Sequence, residues 1–191
     1  MTANKVFCGD AAEVLKSLPQ GSANMCVTSP PYYGLRDYGI ENQIGTEQTP
    51  QEYVERLIKV FDEVYRVLMD DGTLWLNIGD SYAGSGKGKG LLQEDNVKDR
   101  PIYDKESKVF SMPNRWENIK PKDLIGIPWM LAFALRERGW YLRSDIIWHK
   151  INALPEAVKD RPAKCYEHIF LLANRRDITS ITRQFKNLSK R

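Results

Sequence analysis

Apolar residues recur every three or four positions at Tyr53, Val54, Leu57, Ile58, Phe61, Val64, Tyr65 and Leu68, the stripe of a helix that lays one face on a sheet. Thr49-Pro50-Gln51-Glu52 marks its start, with a capping threonine, a proline at the first helical position and a glutamate at the third. Asp70-Asp71-Gly72 predicts the turn out of it, and Thr73–Ile78 a strand. Upstream, Lys5–Cys8 reads as a short strand. Asp10 and Glu13 then have capping-box spacing ahead of Val14, Leu15 and Leu18, a second helix that Pro19-Gln20-Gly21-Ser22 ends. Asn24–Thr28 is an apolar run predicted as a buried strand. It stops at Ser29-Pro30-Pro31, because proline cannot donate to a ladder and disfavours helix before it.

From Gly79 to about Lys120 the periodicity dissolves into glycine, charge and proline, far beyond the usual connection of about 4–6 residues. Helical spacing returns over Ile125–Arg138 through Ile125, Trp129, Ala132, Phe133 and Leu135, with Pro128 tolerable only in the first turn and Gly139 as the stop. Tyr141–Trp148 is a loosely alternating strand, Asn152–Lys164 a polar loop with Pro155 and Pro162, and Ile169–Ala173 a wholly apolar strand. Strands alternating with helices and followed by two closing strands predict an α/β fold with a mainly parallel sheet. No internal repeat is visible.

Composition narrows the class. The 191 residues are 42% hydrophobic and 28% charged, the balance of a soluble globular domain. No apolar run approaches the roughly 18–20 residues of a membrane span, and the first residues carry no basic-then-apolar leader. A cytoplasmic chain without membrane partners is expected. Cys8, Cys26 and Cys165 are too few and too scattered for a disulfide framework or a zinc ribbon, so buried, reduced thiols are expected. Cys165 and His168 stand three apart but make no convincing metal site. The net charge of +3 resides in the tail, since the stretch from Arg175 onward carries +5 and the other 174 residues −2. Basicity alone therefore argues for no nucleic-acid groove in the body.

The chemistry concentrates in Thr28-Ser29-Pro30-Pro31-Tyr32-Tyr33-Gly34, directly after a strand, where open α/β sheets place ligands beyond the carboxyl ends. Two prolines remove two donors and fix two φ angles, leaving the carbonyls of Ser29 and Pro30 as rigid acceptors. Tyr32 adds a flat face. Acceptors beside an aromatic plane suit a planar base carrying an amino group. Pro30-Pro31-Tyr32-Tyr33 also has the P-P-x-Y form that docks on aromatic grooves, and a purely structural proline turn is a further reading.

Ser29-Pro30-Pro31-Tyr32 resembles the (D/N/S)-P-P-(Y/F/W) loop of the amino-group DNA methyltransferases. The likeness extends over roughly Val6–Ala173. It takes in Gly9-Asp10, Gly72-Thr73-Leu74, Gly79-Asp80-Ser81-Tyr82, Trp148-His149-Lys150 with Asn152 and Pro155, and Arg161-Pro162 ahead of Glu167-His168-Ile169-Phe170. The resemblance implies a Rossmann-like methyltransferase sheet, mainly parallel with an antiparallel closing pair. It implies methyl transfer from S-adenosylmethionine to the exocyclic amino group of cytosine (N4) or adenine (N6) in DNA, with the base extruded from the duplex. Ser29 and the Pro30 carbonyl would accept the N–H bonds, favouring a pyramidal nitrogen whose lone pair points at the methyl sulfonium. Pro31 would stiffen the loop and Tyr32 stack on the base. Ser29 resembles the cytosine-N4 branch more than the adenine-N6 branch. Asp10 falls where family members meet the cofactor, although a helix cap explains it equally.

One family feature has no match. The F-x-G-x-G turn that carries the methyl donor is absent after Ala173, and Gly84-Ser85-Gly86-Lys87-Gly88-Lys89-Gly90 fits neither that turn nor a phosphate loop. The resemblance then implies an incomplete sheet, in which the first strand pairs directly with Met25–Thr28 or an unpaired edge is left. The expected organisation is a partial catalytic domain over 1–174 and a basic tail over 175–191. Within the domain, 84–120 is a long target-recognition or flexible loop, with Lys87 and Lys89 near DNA phosphates. A truncated remnant, or one half of a split enzyme with a complementing chain or a homodimeric partner, is the competing expectation. Methylation of a protein glutamine, which also uses an N-P-P-Y loop, is disfavoured by Ser29.

Overall fold

The computed structural model describes residues 4–83, 119–153, 158–176 and 178. The expected target-recognition segment 84–120, apart from its last two residues, the lysines 87 and 89, Pro155 and nearly all of the basic tail lie outside them.

Helix α1 spans Ala11–Lys16, with the Asp10 carboxylate accepting from the Glu13 amide at 3.1 Å. Strand β1 (Ala23–Thr28) leads to the proline loop. Helix α2 (Pro50–Val67) carries the full reciprocal capping box between Thr49 and Glu52 that its sequence announces. Strand β2 (Leu68–Ile78) follows without an intervening loop. The expected Asp70–Gly72 turn is instead a bulge within β2. Ala23 pairs with Leu68 and Met25 with Thr73, so Met69–Gly72 stand opposite Asn24 alone. Gly72 permits this, since a Cβ there would fall 2.8 Å from the Met69 carbonyl oxygen. Helix α3 spans Ile127–Glu137, β3 Tyr141–His149 and β4 Tyr166–Ala173.

The four strands lie in the order β1-β2-β4-β3, with β1 and β2 parallel and β4 antiparallel to both its neighbours. The sheet is thus mixed, and among the described strands its parallel part is β1 with β2. A register shift between Leu142 and Ser144 explains why β3 alternates only loosely. Strand β4 lies between β2 and β3, and Ile169–Ala173 within it are apolar throughout.

One face of the sheet is the core. Leu74, Leu76, Ile78, Phe170 and Leu172 are fully buried there against Leu57, Phe61, Leu131 and Leu135 of α2 and α3. His168 lies on the same face, paired through Nδ1 with Asp145 at 2.9 Å and stacked on Phe170. The buried stripe of α3 is Ile127, Leu131, Ala132 and Leu135; Trp129 and Phe133, read from sequence as part of it, are turned partly outward. Trp129 instead meets the rings of His168 and Phe170 at the rim.

Two expectations are corrected at the start of the chain. Lys5–Cys8 forms no strand, and Val6 is almost wholly exposed. Strand β1 is an edge strand rather than a buried one, with Val27 69% exposed. The physical reason is common to both: of the described residues, none pairs with the outer edge of β1 or covers the face that carries Met25 and Val27. The unpaired edge, not direct pairing of the first segment, is the arrangement found. Cys8 is exposed and Cys26 and Cys165 half-buried, so the thiols are less buried than expected.

Candidate active site

The proline loop leaves the carboxyl end of β1 beside the carboxyl end of β2, the position at which parallel strands present ligands. Its backbone is anchored on both sides of Tyr32. The Tyr53 hydroxyl of α2 donates to the Pro31 carbonyl at 2.8 Å. Tyr33 is buried against the Tyr53 ring, with centroids 5.3 Å apart, and its hydroxyl donates to the Gln48 carbonyl at 3.2 Å. Burial pushes the Tyr53 hydroxyl well above the ordinary phenol range, which keeps it a donor. The Pro30 carbonyl has no partner among the described residues and is left as an acceptor.

A cleft of about 250 Å³ opens beside the loop, lined by Ser29–Tyr32 together with Leu35, Arg36 and Tyr38. Its outer wall is held from α2: Arg56 donates to the carbonyls of Asn42 and Gln43 and pairs with the buried Glu47 at 2.8 Å. Glu47 in turn accepts from the Gly45 amide at 2.8 Å. A larger hollow of about 600 Å³ lies between Tyr82, Lys122 and the segment Val158–Arg161. The smaller cleft is the one at the loop.

Tyr32 is fixed at both ends. Its ring lies on Gly79, where a Cβ would fall 2.6 Å from Cε2, so any larger residue would displace the ring. Its hydroxyl donates to Glu167 Oε2 at 3.0 Å and lies 3.3 Å from the Ser29 hydroxyl. Glu167 also accepts from Asn77 Nδ2 at 3.1 Å and from the Lys150 ammonium. Burial works to raise the Glu167 carboxyl, but bonds from Lys150, Asn77 and Tyr32 together hold it below its ordinary value. The Tyr32 phenol is pushed up to about 12, chiefly by burial and further by the Glu167 charge, against a lowering bond from Ser29. The cluster thus sets a carboxyl held below its ordinary value beside a phenol held above its own.

The next motif braces this arrangement. Asp80 accepts from the amides of Ser81, Gly126 and Ile127, capping α3, and the Ser81 hydroxyl donates to the Tyr33 carbonyl at 3.0 Å. Of the residues singled out from sequence, Ser29, Pro30, Pro31 and Tyr32 line one cleft. Asp10 is elsewhere, exposed, with its Oδ1 engaged in capping α1. Arg161 stacks on the Tyr82 ring at 3.7 Å. Tyr53, Asn77, Gly79 and Glu167 carry no site role in the sequence reading, which places Tyr53 in the helical stripe and Gly79 and Glu167 only within family-like motifs. Glu167 stands 135 residues from Tyr32, and only its place in a family-like motif hinted at it.

A mixed sheet carries a stiffened acceptor loop at the ends of its parallel strands, and the chain belongs to the N6/N4 DNA methylase family, whose model matches residues 23–190. It is 52% identical over 167 residues to the Type II methyltransferase M.Cfr9I of Citrobacter freundii. It is 53% identical over 169 residues to M.XycI of Xanthomonas campestris pv. cyanopsidis. Each match covers 87% of this chain and 53% of the relative, so the chain spans about half the length of these curated relatives. The fold is that of the cytosine-N4-specific PvuII DNA methyltransferase, with TM-score 0.58, 16% identity and coverage of 93% of this chain and 53% of that one. A Thermus thermophilus protein crystallised with S-adenosyl-L-methionine gives TM-score 0.57 at 23% identity, covering 92% and 59%.

Proposed function

We propose that this chain supplies the base-holding half of a DNA amino-methyltransferase acting on the exocyclic nitrogen of cytosine (N4), with adenine (N6) as the alternative target. S-adenosylmethionine supplies the methyl group. The carrying observation is the pair of acceptors, Ser29 Oγ and the Pro30 carbonyl, without a partner among the described residues, on a loop anchored by Tyr53 and Tyr33 beside a cleft. An exocyclic amino group is a poor nucleophile because its lone pair is delocalised into the ring. Accepting its two N–H bonds out of the ring plane favours a pyramidal nitrogen and frees that lone pair. Ser29 is too weak a base to abstract a proton ahead of attack and orients instead; the nitrogen loses its proton to solvent once the new carbon–nitrogen bond has replaced the donor's carbon–sulfur bond. Pro31 fixes the backbone, and Tyr32 offers its ring to the extruded base.

The described residues do not by themselves enclose the methyl donor. Asp10 is exposed and committed to a helix cap, and beside β1 the outer edge and the face with Met25 and Val27 are open. The donor site is completed, in this reading, by residues beyond those described or by a complementing chain. Segment 84–120 is assigned to target recognition and 1–174 to the catalytic domain. Isothermal titration of the isolated chain with S-adenosylmethionine is expected to show binding weaker than micromolar; micromolar binding would remove the need for a complementing chain. NMR titration with 2′-deoxycytidine or 2′-deoxyadenosine is expected to shift resonances of Ser29–Tyr33, and Ser29→Ala to weaken binding. Absence of any shift there would defeat the base-holding reading.

A further inference from the structure

Glu167 lies outside the loop, yet it determines which way the loop's hydroxyls can point. A carboxylate only accepts. Its Oε2 receives the Tyr32 hydroxyl at 3.0 Å and Asn77 Nδ2 at 3.1 Å, while Lys150 neutralises its other oxygen. The Tyr32 proton is therefore spent on Glu167, and the Tyr32 oxygen is free to accept from Ser29 Oγ, 3.3 Å away. The single Ser29 proton is spent in turn, so only lone pairs of Ser29 face the cleft. Each link has one proton and one direction, and the charge at the far end orders them all.

We propose that Glu167, held by Lys150 and Asn77, is a positioning residue that makes Ser29 an obligate acceptor and so selects bases bearing an amino group over those bearing a carbonyl oxygen at the same ring position. This rests on the base-holding reading above. A cytosine N4–H can donate to Ser29, whereas the O4 of uracil would meet lone pairs from both Ser29 and the Pro30 carbonyl, an acceptor facing acceptors with no proton between them. Asn77 strengthens the case, because its Oδ1 is buried without a partner among the described residues while its amide is kept on Glu167. That orientation leaves one acceptor unsatisfied in order to direct a donor at the carboxylate.

The test compares 2′-deoxycytidine with 2′-deoxyuridine, and 2′-deoxyadenosine with 2′-deoxyinosine, by NMR titration of the isolated chain. The native protein is expected to favour the amino member of each pair by at least about tenfold. In Glu167→Gln the amide can turn its NH2 toward Tyr32, the direction of the chain can reverse, and Ser29 can donate into the cleft. The preference is expected to fall at least about threefold through a gain of deoxyuridine binding, the Pro30 carbonyl keeping a residual bias. A merely structural defect would weaken both ligands alike. Tyr32→Phe, which cuts the chain but keeps the ring, is expected to lower the preference in the same way. Retention of the native preference in both variants would overturn the role of Glu167 and leave the base-holding reading standing. Native binding without preference, or no binding, would overturn both.

Discussion

Tyr32 meets three constraints at once: a glycine beneath its ring, a carboxylate at its hydroxyl and a serine beside it. Gly79→Ala is expected to push the ring off its seat at a strain of about 1–3 kcal/mol, with the Tyr32–Glu167 bond lost in a crystal structure of the variant and deoxycytidine binding weakened. The raised phenol makes a second expectation. Unfolded tyrosine ionises near 10 and Tyr32 near 12, so above pH 10 the unfolded state binds fewer protons and stability falls with rising pH until about 12. Denaturant titrations across that window should show the decline, and Tyr32→Phe should lessen it. Glu167 behaves in the opposite sense: its lowered carboxyl adds stability above the ordinary carboxylate range, which is lost as pH falls through its folded value. The loop itself was legible because four contiguous residues carry its chemistry. Glu167 and Asn77 were not, because their relation to it exists only once β2 and β4 pair.

Among the elements, the start of α2 was readable to the residue, since capping box and proline are local signals, whereas its end was not, because Leu68, last in the stripe, already opens β2. Thr49→Ala is expected to cost about 1 kcal/mol in chemical denaturation. Arg56→Ala should cost about 2 kcal/mol, between the surface and buried limits for an ion pair, because it strands the buried Glu47 carboxylate. It should also loosen the outer wall of the cleft, measurable as faster amide exchange over Asn42–Glu47. The misread elements share a different cause. Lys5–Cys8 has strand composition, but a ladder needs a neighbour that composition cannot supply. Trp129 and Phe133 satisfy helical spacing while the face that packs is set by the sheet beneath, so spacing alone chose one apolar face too broadly.

For the molecule as a whole, core and exposed sheet face differ sharply. Helices α2 and α3 seal one side, while Met25, Val27, Ile146 and Trp148 remain open on the other. An exposed apolar edge favours self-association, so the isolated chain is expected to show concentration-dependent sedimentation that Val27→Lys reduces. No helix among the described residues is long and apolar enough to cross a membrane. The α/β class was legible from element order, whereas the place of β4 between β2 and β3 was not, because strand order in a sheet is a long-range property.

That strand order also governs how the chain matures on the ribosome. Synthesised through β3, the polypeptide has a parallel pair and a solitary ribbon with no ladder to join them, and Tyr32 lacks the carboxylate it leans on. Only when Tyr166–Ala173 clears the exit tunnel can it slot between the two pieces. The four-stranded sheet and the Tyr32–Glu167 bond are then formed in the same event, and a nascent chain halted ahead of that strand should be more sensitive to protease in Tyr141–His149 than the chain that includes it.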